Sequence, residues 1–146
     1  MIALVRKLKL PLGLLALLVF ICGILYQQQF EKTHFTIGGQ SFLKEVVDND
    51  NTRAKGLSGR DAIASHAAMV FVFDAPDMRC FWMKDMKFPI DIVWVNADKV
   101  VVAIEPSVSP SSYPTNFCHA DAQYVVEVKA GTARDLGLKP GDALGI

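Results

Sequence analysis

The chain has few of the residues on which catalytic and metal centres are usually built. Its three histidines, His34, His66 and His119, stand apart from one another. The adjacent Cys118 and His119 cannot readily bind one ion from an extended strand. No metal and no cofactor is therefore expected. There is no Cys-x-x-Cys for thioredoxin-like exchange and no G-x-S-x-G nucleophile elbow; Ser58, within Gly56-Leu-Ser-Gly59, reads as the end of a helix. No basic cluster offers a nucleic-acid footprint, so nucleic acid is not an expected partner. Internal repeats and low-complexity tracts are also absent. What remains is 146 residues, 51% hydrophobic, 10% aromatic and 21% charged, a length for one folded domain and a composition that excludes disordered and collagen-like chains.

Charge is distributed unevenly along that length. Arg6, Lys7 and Lys9 precede a long apolar run, and all 15 acids follow it. From residue 31 onward, 12 Lys and Arg face 15 Asp and Glu, leaving that part at about −3. Leu10 to Tyr26 is seventeen residues without a charge. As a helix it spans roughly 26 Å, or about 28 Å with Leu8 and a snorkelling Lys9, against the ~30 Å of a hydrocarbon core. The basic flank orients the N-terminus to the cytoplasm. No A-x-A-like triplet lies between Cys22 and Phe30, and Ile21 is bulky where a lipoprotein signal wants a small residue before Cys22. An uncleaved single-pass anchor is expected. The expected organisation is a cytoplasmic flank over 1–9, a transmembrane anchor over 10–26, a polar stalk over 27–33 and an extracytoplasmic domain over 34–146.

From His34 the apolar residues recur at every second position. His34–Ile37 and Gln40–Val47 flank Gly38-Gly39, a dipeptide suited to a two-residue hairpin turn. Asp48–Asn51 reads as a loop and cap, and Thr52–Leu57 as a short helix stopped by glycine. Met69, Phe71 and Phe73 share one strand face. Trp82–Val95 predicts a strand bent near Pro89, with Ile90, Ile92 and Trp94 on one face. Val100–Ile104 pairs back as a hairpin, and residues 106–116 form a long exposed loop. Tyr124, Val126 and Val128 alternate with Val125 and Glu127. Thr132–Leu136 is a helical turn closed by Gly137, and Pro140-Gly-Asp142 leads into a last short strand. The expected fold is mainly β: a compact antiparallel, barrel-like domain with one or two short helices.

Arg53-Ala-Lys-Gly-Leu57, Met69-Val-Phe-Val-Phe73, Phe81-Trp-Met-Lys-Asp-Met-Lys-Phe-Pro-Ile-Asp91, Tyr124-Val-Val-Glu-Val128, Ala130-Gly131 and Gly141-Asp142 occur in that order. Together they resemble the family called domain of unknown function 192, small proteins that are often exported or membrane-tethered. The resemblance covers residues 34 to 146 and implies a compact, mainly antiparallel β fold. It implies no agreed activity. Where the family usually has Gly-Met, this chain has Ala68-Met69.

Several residues could carry chemistry. On a continuous strand Trp82 and Lys84 share one face, offering an indole and an ammonium to a ligand, or else packing as core and cover. Met83 and Asp91 complete that candidate groove, with the 106–118 loop at its edge. Asp91 could equally hold a turn by accepting local backbone donors. Asp85 and Asp91 would stand about 20 Å apart along a straight strand, so they could pair as catalytic carboxylates only if Pro89 folds the segment sharply back. Glu127 points away from Tyr124 and Val126, where a solvated position or an ion pair is the default. Cys80 and Cys118, the two cysteines outside the anchor, are expected to form one disulfide in an oxidising compartment. Three functions follow as expectations: non-catalytic binding of a small envelope molecule or an envelope protein; hydrolysis of envelope glycan or peptide through Asp85, Asp91 or Glu127; and a structural or assembly role.

Overall fold

The computed structural model describes residues 12–146, so the expected basic flank over 1–9 and the start of the expected anchor lie outside the described residues. The chain divides into two units, one ending at Lys32 and the other Thr33–Ile146. The helix α1 (Leu12–Thr33), all but its last residue in the first unit, is helical through the stretch expected to be a stalk. Its large apolar side chains from Leu14 to Tyr26 are exposed. Among the described residues no helix is long and apolar enough to cross a membrane.

The second unit is a six-stranded sheet with few helices. Its strands are β1 (His34–Ile37), β2 (Gln40–Val47), β3 (Ala67–Phe81), β4 (Ile90–Val95), β5 (Val101–Val108) and β6 (Phe117–Lys129), with α2 (Asp50–Lys55) and α3 (Thr132–Asp135) as helical turns. The sheet order is β1-β2-β3-β6-β4-β5. Gly38 and Gly39, at φ 54° and 79°, turn the β1–β2 hairpin, with Ile37 opposite Gln40. Positive φ at both central residues matches the right-handed twist of the strands it joins. Ala68 needs no such freedom, since it lies within β3 between Lys44 and Val128.

Two expectations are corrected. The sheet is mixed, not wholly antiparallel, because β2 and β3 run parallel, Leu43 to Val47 beside Ala67 to Phe71. A parallel pair needs a crossover rather than a hairpin, and residues 48–66 with α2 supply it. The sheet is also open, not closed into a barrel, with β1 and β5 at its edges. The C-terminal tail links those edges, through Val101 N–H to Asp142 O at 2.9 Å, Leu144 N–H to Lys99 O at 2.9 Å and Gly145 N–H to Thr36 O at 3.1 Å.

Both faces of the sheet are buried. One carries Ala68, Val70, Val93, Val95, Val126 and Val128, packed with Phe35, Ile37, Phe42 and Leu144. The other carries Met69, Phe71, Ile92, Trp94 and Val125, packed with Leu57, Met83 and Ile90. Every residue of β4 is consequently buried. The segment 82–89, expected to be strand, instead runs as loop over the second face, and Met83 enters that core. Cys80 and Cys118 sit directly opposite each other on β3 and β6 and are joined in a disulfide.

Candidate functional site

A cleft of about 270 Å³ opens on the second face. Asp50, Arg53 and Lys55 of α2, then Gly56, Leu57 and Ser58, form one side of it. Phe71, Phe73, Phe81, Trp82 and Met86 provide apolar wall, and Cys80 and Glu127 complete the lining. Local sequence sets this shape. Asn49 caps α2 by accepting from the Thr52 amide at 3.1 Å, and Gly56 ends the helix at φ 49°. At that φ a side chain would be strained, so glycine is what lets the end of the helix settle against the aromatic wall beside the Phe71 ring. Phe71 meets Phe81 edge-on, with centroids 4.8 Å apart.

Glu127 is the feature of the cleft that packing does not explain. It lies on β6 between Met69 of β3 and Ile92 of β4 and is only 5% exposed. Its Oε2 is buried without a hydrogen-bond partner. A buried polar atom in this state costs on the order of 1–3 kcal/mol, so it calls for a compensating use. Burial pushes its carboxyl up from 4.5 to about 8, against a smaller opposing pull from the Arg60 charge. At neutral pH it is therefore a neutral acid with a proton to donate. Alternation gives the direction of this side chain, away from Tyr124 and Val126, but the solvated position or ion pair expected for it is overturned, since it is buried and forms no ion pair among the described residues. Both sheet faces are covered, so a residue pointing away from one core enters the other.

The cations around the cleft are in different states. Arg53 donates to Asp48 O at 2.6 Å, to Val72 O at 2.7 Å and to Asp50 Oδ1 at 2.8 Å, and its guanidinium lies 5.1 Å over the Phe73 ring. Arg60 is held by both carboxylate oxygens of Glu45, at 2.8 and 2.6 Å, which raises its pKa and holds the Glu45 carboxyl low. Lys55 forms no ion pair or side-chain hydrogen bond among the described residues.

The residues singled out from sequence fall in different places. Trp82 lines the cleft and is 52% exposed. Met83 is core, and Lys84 is exposed while its carbonyl accepts from Ser58 Oγ at 2.9 Å. Asp91 is fully buried and does not line the cleft. Its Oδ1 accepts the Ser107 and Gly131 amides at 2.7 and 3.0 Å, and its Oδ2 accepts the Ala133 amide at 2.7 Å. It thus serves as the cap of α3, whose N-cap Gly131 has no side chain to offer. Among the described residues no group of three or more His, Cys, Asp or Glu is placed to hold a metal ion.

The sequence of this domain matches one family model, uncharacterized ACR or DUF192, over residues 33–146. The chain belongs to the DUF192 family. Two solved structures resemble it. One is a protein of unknown function from Novosphingobium aromaticivorans, 32% identical, covering 76% of this chain and 81% of that one, with a TM-score of 0.70. The other, from Sinorhizobium meliloti, is provisionally described as a transcription regulator; it is 28% identical over 76% of this chain and 88% of that one, with a TM-score of 0.69. No curated protein matches. The DUF192 fold is thus shared, and the chemistry has to be argued from the cleft itself.

Proposed function

We propose that this DUF192 domain is a binding module for a small molecule, held at the outer face of a membrane by the N-terminal segment. The observation that carries the binding reading is the Glu127 carboxyl, buried and lacking a partner in a cleft lined by aromatic side chains. Ligand sites combine apolar walls with a few convergent polar groups, and this cleft has that make-up. Its volume of about 270 Å³ is on the scale of a small-molecule pocket. The membrane reading is supported by α1, whose exposed Leu, Val, Phe and Ile side chains demand an apolar surrounding.

Hydrolysis is the second reading, because a carboxyl with a raised pKa is also what a general acid requires. Asp85 and Asp91 do not line the cleft, so the partner carboxylate would have to be Asp50, which is exposed and paired with Arg53. The test is a thermal-shift screen of the full chain in detergent against small acids, amines, sugars and peptides. A ligand at 100 times its Kd stabilises by ~2.7 kcal/mol. A hit lost in Trp82→Ala supports binding, turnover of the hit supports hydrolysis, and a flat screen overturns both.

A further inference from the structure

We propose that the ligand is a small apolar-bodied carboxylate, its acid group accepting a hydrogen bond from the Glu127 carboxyl and its charge matched by Lys55 at the rim. This inference rests on the cleft being a binding site and names the chemistry that site selects. Three observations converge. The floor offers one buried carboxyl, with an oxygen that no protein group satisfies. The walls are Leu57, Phe71, Phe81, Trp82 and Met86, which suit a ring or a branched chain. Among the described residues the rim carries one cation outside any ion pair, Lys55, whose charge is felt by Glu45 without direct contact, while Asp50 and Arg53 answer each other at 2.8 Å.

The charged groups around Glu127 determine the sign of the pH dependence. From α2 these are Asp50, Arg53 and Lys55, and beyond α2 comes Arg60, neutralised by Glu45 of β2. The β3 and β4 neighbours, Met69 and Ile92, are apolar. With the paired charges cancelled, the excess is a single positive charge at the rim, which attracts an anion and opposes an ammonium ligand. A carboxylate docked on the floor cannot share it with a second carboxylate, so Glu127 must keep its proton for binding. The raised pKa of Glu127 agrees with that requirement at neutral pH.

Three probes of one shape separate the possibilities: 3-phenylpropionate, 3-phenylpropanol and 3-phenylpropylamine, titrated calorimetrically into the full chain in detergent. The expected result is tightest binding of 3-phenylpropionate, unchanged from pH 6 to pH 7 and about thirtyfold weaker at pH 9.5, where Glu127 has lost its proton. Glu127→Gln, whose amide still donates, should bind it without that pH dependence, while Glu127→Leu should not bind it. Lys55→Met should weaken it about fivefold with the pH profile retained. Tighter binding of the amine, or equal binding of the alcohol, overturns the carboxylate assignment and leaves the cleft as a site. Binding of none of the three, with a Trp82-dependent hit in the wider thermal screen, also overturns this inference alone. No hit in either experiment overturns the binding reading as well.

Discussion

Replacing Glu127 with Gln removes a titration whose energetic sign follows from burial. In the folded chain the carboxyl loses its proton near pH 8, and in the unfolded chain near its ordinary 4.5. Between those values the native state holds one more proton than the unfolded state. Stability therefore falls as pH rises, by up to about 1.4 kcal/mol per pH unit, and the fall ends once the native carboxyl has ionised. Over the whole window the loss is on the order of 4–5 kcal/mol, a large share of the 5–15 kcal/mol typical of a domain. Glutamine is neutral throughout and nearly the same shape, so the variant escapes this loss. Urea unfolding of both proteins from pH 5 to pH 9 measures it, and taking their difference cancels the other titrating groups. Near pH 5 the two should be alike. The difference should then grow in favour of Glu127→Gln up to about pH 8 and stay constant above it. A difference that does not change with pH would mean that Glu127 ionises normally in the fold, and the reasoning from burial would fail.

Other substitutions should separate strong from weak interactions. Asp91→Ala leaves two buried amides and one part-buried amide without an acceptor and should cost about 3–5 kcal/mol in urea unfolding; a loss under about 1 kcal/mol would show that the α3 cap is dispensable. Reduction of Cys80–Cys118, which spans 38 residues, should lower stability by about 2–4 kcal/mol, and an unchanged urea midpoint would contradict this. Arg60→Met should change stability by less than about 1 kcal/mol, since its pair with Glu45 is about half exposed, yet move the Glu127 titration to higher pH by removing the opposing charge. Full-length chain should sediment with membranes after carbonate extraction, and a chain lacking residues 1–26 should not; release of both would refute the anchor.

Much of the fold is legible in the residues. Gly38-Gly39 marks the first hairpin, Asn49 and Gly56 bracket α2, and the alternation of Tyr124, Val126 and Val128 gives β6 its two faces. The parallel register of β2 and β3 is not legible, because it depends on how the 48–66 crossover lies across the sheet and not on either strand's own pattern. The loop at 82–89 is obscured by its β-forming residues Trp82 and Phe88, because Phe88 packs over a sheet face and Trp82 stands half-exposed at the cleft, neither in a ladder. The cleft was half legible. Trp82 stood out as an amphipathic aromatic, and Asp91 as a short acid that could serve local amides. For Glu127 the sequence points to a solvated position or an ion pair, because an acid alternating with valines usually marks a wet face. The signal that could have corrected this is β4, Ile90-Asp-Ile-Val-Trp-Val95, nearly continuous in apolar residues and so buried on both sides. A strand paired beside it, as β6 is, must share that burial.

The most direct test of the Glu127 cleft is to follow the carboxyl carbon of Glu127 by ¹³C NMR in the full chain, from pH 4 to pH 10, with and without 3-phenylpropionate. The account predicts a midpoint near 8 in the free protein, moved higher by the probe because the bound carboxylate holds the proton in place. A midpoint near 4.5, or one near 8 that the probe does not move, would contradict it.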